Sequence, residues 1–460
     1  MDIVKKFPEE VVFILSDLEA DGYKAYVVGG AIRDLLLQKV PKDWDIVTNA
    51  PMEVILTLFP KAKEVGKSFG VALVTINGKS FEIARFRQDG KYSDNRHPDK
   101  VIFCDTIEKD LERRDFTINA IAYDLRGNSY CVDNSFQDLE NRLIRTVGNP
   151  QERFFEDPLR MLRAVRFAAQ TGFDIEFATF TAISRYKEAV LLVSPERIQE
   201  ELNKILLLEN NEAYDGIECL ENSGLLFCII PELRHGKFTK QNKWHIHDVW
   251  EHSLATLSFT PTDLTYRLAA LLHDIGKPFA KSIDKDGILH FFGNSMYPSH
   301  EIVSAEIAEK ILKRLRYSNE VIDEVIYLIR YHMINWEGKI SDKLLRKRLN
   351  KHGKKLKQLV MFNCYDSKGR GFYQEYEEIE SRTVDLLVRI DRIIADDVPV
   401  STFSLKVDGN DIMRILEIPS GKKVGEIKQL LMDLVLEDPE MNKREILEEK
   451  IKEFKGGIKK

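Results

Sequence analysis

The sequence predicts an α+β multidomain protein, with a small α/β head followed by a mostly helical neck, a histidine-containing domain and a helical tail. A length of 460 residues exceeds one ordinary core, since domains usually hold about 100–200 residues. Short strand-like runs alternate with helical stretches as far as about Asp124, and beyond residue 141 apolar residues recur mainly at helical spacing. The predicted domains are residues 1–140, 141–235, 236–370 and 371–460.

The composition excludes several classes of protein. Lys and Arg total 68 and Asp and Glu total 74, a net charge of −6, so any nucleic-acid surface must be a local basic patch. The five cysteines are odd in number and scattered, which argues against a disulfide framework or a zinc ribbon and favours a cytoplasmic protein. The start lacks an apolar signal core, and no apolar run approaches the roughly 20 residues that cross a bilayer, so no membrane association is expected. These numbers leave the oligomeric state unknown.

The first candidate site combines a glycine turn with two alternating carboxylates. Gly29 and Gly30 follow a short apolar run and precede a predicted helix, whose N-terminal backbone amides are suited to phosphate oxygens. Asp43 and Asp45 are predicted to project from one face of a strand while Trp44 points into the interior. Two carboxylates together with substrate phosphates suit Mg²⁺, so this stretch indicates a nucleoside triphosphate site. The competing interpretation is a strand, turn and helix with incidental surface acids.

A hairpin and a polar loop follow. Residues 71–76 and 81–86 are predicted to be two strands joined at Asn77-Gly78, a strong turn sequence. Residues 89–98 are polar and rich in turn formers, so they are predicted to form a mobile loop.

Two later segments place arginines beside carboxylates. Arg113 and Arg114 lead into an apolar strand, either as bidentate phosphate ligands or as a solvated surface pair. Asp157 and Pro158 predict the start of a helix. Arginines then recur every three residues and form a basic ridge that is expected to seek anions or base edges: Arg160, Arg163 and Arg166.

Asp157 and Arg160 are candidates for selecting a nucleobase. Cytosine and adenine both present an amine donor beside a ring-nitrogen acceptor on the pairing edge, whereas uracil and guanine present the reverse. An aspartate that only accepts and an arginine that only donates therefore complement C and A and reject U and G.

A histidine cluster begins after residue 236. His273 and Asp274 end an apolar helical run, and further candidate metal ligands are His252, His300, His332 and Asp366. Histidine plus carboxylate without thiolate suits Mn, Fe, Ni or Mg better than a structural zinc. The alternative is a histidine-rich segment whose members are satisfied core residues.

The head and neck segments together resemble a class II CCA-adding enzyme, a tRNA nucleotidyltransferase of the bacterial poly(A) polymerase family. The matching segments are Gly29-Gly30-x-x-Arg33-Asp34, Asp43-x-Asp45, the 89–98 loop, Arg113-Arg114-Asp115-Phe116-Thr117-x-Asn119-Ala120 and Glu156-Asp157-x-x-Arg160. The resemblance implies that Asp43 and Asp45 bind the catalytic Mg²⁺. It also implies nucleotide binding by Gly30, Arg33, Arg114, Asp115, Asn119, Asp157, Arg160, Arg163 and Arg166. Gln38 departs from the family, which usually has glycine there, and is expected to affect only a helix C-cap.

The order of the histidines resembles the HD phosphohydrolase superfamily. The resemblance implies that His252, His273, Asp274 and Asp366 are the core metal ligands, with His300 and His332 completing a possible second metal position. In relatives this domain is associated with phosphatase or cyclic phosphodiesterase action on RNA ends. The segment from Gly293 to His300 departs from the common Gly-His form, so the second metal depends on where His300 lies.

The function implied is template-independent addition of CCA to the 3′ end of tRNA from CTP and ATP by Mg²⁺-dependent nucleotidyl transfer. Alternatives that share the head are an A-only tRNA nucleotidyltransferase and a poly(A) polymerase, with the HD domain acting as a metal-dependent phosphohydrolase. A rival of another class is a phosphohydrolase whose head only binds RNA. The densest basic run, residues 343–357, is either a phosphate track for the tRNA arm or a solvated helix face.

Overall fold

The computed structural model describes residues 3–65, 70–90, 101–242, 244–280, 282–283, 289–290, 299–334, 336, 340–395 and 405–457. By their internal contacts the residues divide into two compact units. The first comprises residues 1–234, 262–264 and 310–318, and the second comprises residues 235–261, 265–309 and 319–460. The predicted head and neck thus share one unit, and the finer division into four domains stays a prediction.

The first unit begins with the α/β head. Its strands are β1 (Ala25–Val28), β2 (Asp45–Thr48), β3 (Lys63–Val65), β4 (Val71–Ile76), β5 (Lys79–Arg85), β6 (Arg87–Asp89), β7 (Val101–Phe103), β8 (Ile121–Tyr123) and β9 (Ser129–Cys131). Its helices are α1 (Glu9–Ala20), α2 (Gly30–Leu36), α3 (Met52–Leu58), α4 (Ile107–Glu112) and α5 (Ser135–Glu140), with 3₁₀ segments at Ile3–Lys6 and Thr117–Asn119. One sheet has the strand order β3-β4-β5-β2-β1-β8-β9, in which β2 and β5 run parallel.

Strand β1 is buried on both faces of this sheet, which explains its unbroken apolar run. Val27 joins the core formed with helices α1 to α3, whereas Tyr26 and Val28 join a second core that includes helix α4. The predicted hairpin is confirmed, since β4 pairs with β5 around Asn77 and Gly78. Both turn residues have positive φ, 50° and 77°, as a tight two-residue hairpin turn requires.

The neck is helical and continues the first unit. Its elements are β10 (Leu143–Ile144), α6 (Pro150–Glu156), α7 (Leu159–Thr171), β11 (Asp174–Ile175), α8 (Phe177–Tyr186), α9 (Pro195–Leu206), α10 (Asn210–Asn222) and α11 (Leu225–Ile229), with 3₁₀ segments at Lys187–Leu192 and Pro231–Gly236. The predicted helix start at Asp157 is confirmed, because its Oδ1 accepts a hydrogen bond from the Leu159 amide at 3.1 Å. The Asp157 side chain thus satisfies one backbone amide in the first turn of α7, next to Pro158.

The remaining elements are mainly helices. They are α12 (Val249–Phe259), α13 (Leu264–Leu272), β12 (Ser282–Ile283), β13 (Leu289–His290), α14 (His300–Arg314), α15 (Asn319–Tyr331), α16 (Asp342–His352), α17 (Lys355–Gly369), α18 (Tyr376–Ala395), α19 (Gly409–Leu416), α20 (Lys422–Glu437) and α21 (Arg444–Gly457), with 3₁₀ segments at Lys277–Phe279, Tyr373–Glu375 and Pro439–Met441. Helices α19 to α21 enclose a core of their own. Among the described residues, every helix falls short of the combined length and hydropathy that a membrane span requires.

One local prediction is wrong. Strand β2 begins at Asp45, so Asp43 and Trp44 precede the strand instead of lying on it. The reason is that Asp45 pairs with Val28, the last residue of β1, and the chain then turns away at Gly29. Trp44 still points toward the head core, where it is partly buried. Most of the predicted loop at 89–98, from residue 91 onward, lies outside the described residues.

Candidate functional site

The glycine turn between β1 and α2 brings the first candidate residues together. A Cβ atom on Gly29 would lie 3.1 Å from Arg114 Nη1 and 3.3 Å from Asp45 Oδ2. The φ of Gly29, 78°, is also one that glycine adopts without strain. The turn therefore runs directly beside a carboxylate and a guanidinium, and Gly30 begins helix α2 immediately after it.

Asp43 and Asp45 lie beside this turn, and both residues are exposed overall. The Asp45 carboxyl group is nevertheless partly enclosed, and this burial raises its pKa. Arg114 opposes the rise, whereas the like charge of Asp43 adds to it. A divalent cation between the two carboxylates would relieve their repulsion, which is the chemistry expected of a Mg²⁺ site that also receives phosphates.

A chain of hydrogen bonds links helix α2 to helix α7. Arg33 donates from Nη1 to Asn119 Oδ1 at 2.9 Å and from Nη2 to Asp34 Oδ1 at 2.7 Å. Asn119 Nδ2 donates to Asp115 Oδ1 at 3.4 Å, and Arg163 Nε donates to Asp115 Oδ2 at 2.8 Å. Residues that are 130 positions apart in sequence are thus connected through Asp115 and Asn119.

The Asp115–Arg163 pair is charged despite its burial. Burial opposes ionisation of Asp115, but Arg163 outweighs it and holds the Asp115 pKa below its usual range. Burial likewise opposes the charge on Arg163, and Asp115 outweighs it and raises the Arg163 pKa. The pair therefore fixes helix α7 against the segment between α4 and β8 through charge-assisted hydrogen bonds.

The base-selecting candidates each have a protein partner. Arg197 donates to both oxygens of Asp157, at 3.2 and 2.7 Å. Arg160 Nη1 donates to Glu156 Oε2 at 2.5 Å, and its Nη2 donates to the carbonyl oxygen of Arg113 at 3.3 Å. The orientations of the acceptor and of the donor are thus each set by a neighbouring charge.

Arg160, Arg163 and Arg166, which were expected to form a ridge that seeks anions or base edges, all have protein partners, and their contact with a nucleotide stays a prediction. Each of the three is paired with a carboxylate of the same unit, and Arg166 Nε donates to Glu201 Oε2 at 2.6 Å. Spacing along one helix could not reveal this, because the partners come from α6, from the segment before β8 and from α9. The arginines are a paired internal cluster instead of a free basic surface.

Arg197 and Glu201 were missed from sequence. They stand four residues apart on helix α9, so they face the same side, and they carry opposite charges. This pattern was visible in the sequence as a polar face opposite the apolar residues of α9. Only the packing of α9 against α7 shows that the face meets Asp157 and Arg166.

The second candidate site lies in the second unit and is a cluster of buried histidines and aspartates. His252 Nε2 lies 3.1 Å from His273 Nε2 and 2.9 Å from Asp366 Oδ1. Asp274 Oδ2 lies 3.2 Å from His273 Nε2 and 3.4 Å from His252 Nε2. The four predicted core ligands therefore converge on one point.

His300 and His332 lie on the other side of Asp274. Their Nε2 atoms are 3.3 Å apart, and they lie 3.4 and 3.7 Å from Asp274 Oδ1. Two groups of three residues are each close enough together to bind one ion. The first group is His252, His273 and Asp274, and the second is Asp274, His300 and His332. The unusual spacing before His300 thus does not remove it from the cluster.

The donor atoms fit metal ions. His273 and His332 direct Nδ1 toward the carbonyl oxygens of Ala270 and Ile329, at 2.9 and 2.7 Å, which leaves each Nε2 facing the cluster. Among the described residues, neither oxygen of Asp274 accepts a well-aligned hydrogen bond, although Lys277 Nζ lies 2.6 Å from Oδ2. A fully buried carboxylate whose two oxygens face different histidines is well suited to bridging two cations.

The protonation of the cluster is unusual. Burial disfavours charge on His273, but Asp274 and Asp366 outweigh it and raise the His273 pKa to about 10. Burial lowers the pKa of His332 to about 3, and the neighbouring histidines act in the same direction. A metal cation would take the place of the proton on His273, because ligand histidines must be neutral.

A cavity adjoins this cluster. Its volume is about 420 Å³, and its lining includes His332 and Asp366 together with two arginines and two tryptophans, Arg370, Arg382, Trp244 and Trp336. The cavity gives a small anionic molecule access to two residues of the cluster.

The basic run at 343–357 makes contacts within the second unit. Lysines pair with carboxylates as Lys343–Glu437, Lys355–Glu324 and Lys357–Asp391. The Arg348 guanidinium lies 4.4 Å from the centre of the Trp336 ring. Much of this charge is therefore used locally, and the phosphate track for tRNA stays a prediction.

Models of known protein families match three parts of this chain. The model of the poly(A) polymerase head domain matches residues 25–145, and the HD-domain model matches residues 249–396. A model described as the probable RNA and SrmB-binding site of polymerase A matches residues 172–236. The CCA-adding enzyme of Enterococcus faecalis is 30% identical over 444 residues, 95% of this chain and 94% of that one. This chain belongs to the CCA-adding enzyme family.

A further relative and a solved structure support the same family assignment. The CCA-adding enzyme of Lactobacillus helveticus is 44% identical over 205 residues, which is 44% of this chain and about half (51%) of that one. A crystal structure of the Bacillus stearothermophilus CCA-adding enzyme in complex with CTP matches with a TM-score of 0.71 at 25% identity, covering 98% of both chains. The family resemblance and the predicted fold class are thereby confirmed, and the chain carries an HD domain in addition to its head.

Proposed function

We propose that this protein adds CCA to the 3′ end of tRNA, using CTP and ATP, without a nucleic-acid template and with Mg²⁺ as cofactor. The observation that carries the proposal is the convergence of Asp45 and Arg114 on the Gly29 turn, beside Asp43. The same unit holds the network that reaches Asp157 and Arg160. Membership of the CCA-adding enzyme family supports the assignment.

Each residue has a distinct role in this proposal. Asp43 and Asp45 would hold Mg²⁺, which when bound stabilises charge on the triphosphate and lowers the pKa of the attacking 3′-hydroxyl. Arg33, Arg114, Arg163 and Arg166 bind the triphosphate and sugar, with Gly30, Asp115 and Asn119 fixing the turn and the arginines around it. The hydroxyl oxygen attacks the α-phosphorus, the bond to the β-phosphate oxygen breaks, and pyrophosphate leaves.

Asp157 and Arg160 select the base. The aspartate accepts from the exocyclic amine of cytosine or adenine, and the arginine donates to the adjacent ring nitrogen. Arg197 and Glu156 hold these two side chains at fixed angles, so selection is built into the protein. Uracil and guanine would place a carbonyl against the aspartate and a ring N–H against the arginine, and both mismatches are costly in a partly buried site.

The deciding experiment extends three tRNA substrates, which lack the whole CCA end, its last two nucleotides or only the terminal A, with each nucleoside triphosphate separately. We expect C addition to the first two and A addition to the third, with no use of UTP or GTP. Extension of only the third substrate would identify an A-only enzyme. Long A tails on all three would identify a poly(A) polymerase, and either result would overturn CCA addition.

The cytoplasm is the proposed location, because the substrates are tRNA and free nucleotides and the cysteines are unpaired in the structure.

We further propose that the HD domain is a metal-dependent phosphohydrolase that binds two cations of the Mn, Fe or Ni type. His252, His273, Asp274 and Asp366 would hold one ion, and Asp274, His300 and His332 the other, which together supply an activated water and stabilise phosphate charge. The favouring observation is that the cluster adjoins the cavity lined by Arg370 and Arg382, which suits a phosphate ester.

Metal analysis and hydrolysis of p-nitrophenyl phosphate and bis-p-nitrophenyl phosphate test this second activity. We expect two equivalents of metal, the loss of both in Asp274→Asn and the loss of one in His332→Gln. His247→Gln serves as a control, since His247 lies in the same histidine-rich segment but outside the cluster. Bound metal without hydrolysis of either substrate would overturn the hydrolase and leave a structural metal centre.

A further inference from the structure

Phe167 lies where three arginines of the proposed nucleotide site meet. The guanidinium carbons of Arg166, Arg33 and Arg163 are 4.1, 5.2 and 5.3 Å from the centre of its ring. A guanidinium within about 6 Å of an aromatic face is attracted by the electron-rich centre of the ring. One side chain on α7 therefore interacts with cations from both α2 and α7.

The ring itself is held firmly. Phe167 is only 7% exposed, and Phe116 packs edge to face against it with the ring centres 5.7 Å apart. Phe116 is completely buried and directly follows Asp115, the partner of Arg163. The position of the Phe167 ring is thus tied to the segment that also carries Asn119.

The three arginines carry like charges in a partly buried region. Each is drawn to a different acid, since Arg33 binds Asp34, Arg163 binds Asp115 and Arg166 binds Glu201. Asn119 and Asp115 link Arg33 to Arg163 by hydrogen bonds, whereas Arg166 is held separately by Glu201 of α9. The Phe167 ring is a contact that all three share, and it attracts each of them toward one centre.

We propose that Phe167 is a positioning residue for nucleotide binding, whose ring sets the spacing of the Arg33, Arg163 and Arg166 guanidinium groups that receive the incoming nucleotide. The inference rests on the proposed function and extends it to an apolar side chain without a reactive group. The base-selecting pair is held by Arg197 and Glu156, so Phe167 acts equally on CTP and ATP.

The test compares Phe167→Leu, which keeps an apolar side chain but removes the aromatic ring, with Phe167→Tyr, which keeps the ring. Phe173→Leu is the matched control, since this buried phenylalanine of the same unit lies 5.5 Å from the single guanidinium of Arg142. For Phe167→Leu we expect KM for CTP and ATP to rise about tenfold while kcat changes less than about twofold. About tenfold corresponds to about 1.4 kcal/mol, within the range of cation–π contacts.

Binding of CTP measured by titration calorimetry without tRNA supplies a readout that a purely structural role would not move. Phe167→Leu should weaken binding about tenfold, Phe167→Tyr should restore it to within about twofold of wild type, and Phe173→Leu should leave it unchanged. Equal loss of thermal stability in both leucine variants with unchanged KM would reduce Phe167 to a core residue and overturn the inference. Failure of Phe167→Tyr to restore binding would do the same.

The two proposals fail separately. A wild-type protein that extends no tRNA would overturn the proposed CCA addition. A wild-type protein that extends tRNA normally, together with a Phe167→Leu variant that matches it in KM and in CTP affinity, would overturn only the role of Phe167.

Discussion

The proposed nucleotide site of the first unit and the histidine cluster of the second unit differ in how their charged groups are exposed and paired. In the first, Asp43 and Asp45 are exposed, and the surrounding arginines are paired with carboxylates of the protein. In the second, six histidine and aspartate side chains are buried together, and their Nε2 and carboxylate atoms point at one another. The first site presents exposed acids beside internally paired arginines, whereas the second is a buried set of histidine and carboxylate donors that face one another.

This difference agrees with the cation proposed for each site. A site that takes Mg²⁺ along with a triphosphate must stay open, and it needs only two carboxylates because the phosphates supply further ligands. A resident metal centre must supply nearly all ligands from the protein, and burial makes the empty state costly. Exposure of the acids in one site and burial of the donors in the other therefore follow from how the cation arrives.

The largest expected effect comes from removing one ligand in each site. Asp45→Asn should lower nucleotide addition about 10²- to 10³-fold, since one carboxylate that stabilises transition-state charge is lost. Its HD metal content should stay unchanged. Asp366→Asn should do the reverse, with lost metal and normal addition, as measured by tRNA extension and elemental analysis. If either variant impaired both tRNA extension and metal binding, the two sites would not be independent, which would contradict this comparison.

The internal charge pairing of the first unit can be tested by pH. Burial opposes ionisation of Asp110, Asp115 and Glu201, but neighbouring arginines outweigh it and hold each pKa below its usual range. The resulting stability is present above about pH 4 and is lost as the pH falls through the lowered values. Glu201→Gln should therefore cost about 3 kcal/mol of unfolding free energy at pH 7 and less at pH 3, by urea denaturation.

A pH-independent effect of Glu201→Gln would contradict this account, because it would mean that Glu201 stabilises the unit by packing alone. Glu200→Gln is the matched control, since Glu200 is exposed on the same helix and should change stability little at either pH.

A smaller effect concerns base selection. Arg197→Met removes the bidentate partner of Asp157, so the aspartate should lose its fixed orientation. We expect discrimination of CTP and ATP against UTP and GTP to fall about tenfold, the equivalent of one hydrogen bond of about 1.4 kcal/mol. Arg185→Met, on an exposed arginine of the same unit, is the control. Unchanged discrimination among the four nucleotides would show that the hydrogen bond from the Leu159 amide is sufficient to position Asp157.

The smallest expected effect concerns Gln38, a residue of the turn after α2 that has no proposed role in nucleotide binding. Gln38 ends the turn after α2 with φ of 59°, a conformation that costs a residue with a Cβ atom roughly 1 kcal/mol. Gln38→Gly should raise the unfolding free energy by about 0.5 kcal/mol, after allowance for the greater freedom of glycine in the unfolded chain. Thermal unfolding measures the gain, and tRNA extension should be unchanged. A lower rate of tRNA extension would mean that the conformation of this turn affects the positions of Asp43 and Asp45.

Much of the local structure follows from local patterns. The Asn77-Gly78 hairpin, the Gly29 turn before α2 and the Asp157 cap of α7 were predicted, because each depends on the conformational preference of one or two residues. The strand assignment of Asp43 failed, because the length of a strand depends on its neighbour, and β1 ends at Val28.

The sequence by itself determined the family, the order of the domains and the identities of the acids, arginines and histidines, because these are matters of residue type and spacing. Only the tertiary structure decided how their charges are balanced. Arg166 meets Glu201 and Asp157 meets Arg197 through the packing of α9 against α7, and His300, at the start of α14, joins Asp274 and His332 from the turns after α13 and α15. The physical reason is that partners distant in sequence are chosen by side-chain packing, which no local pattern encodes.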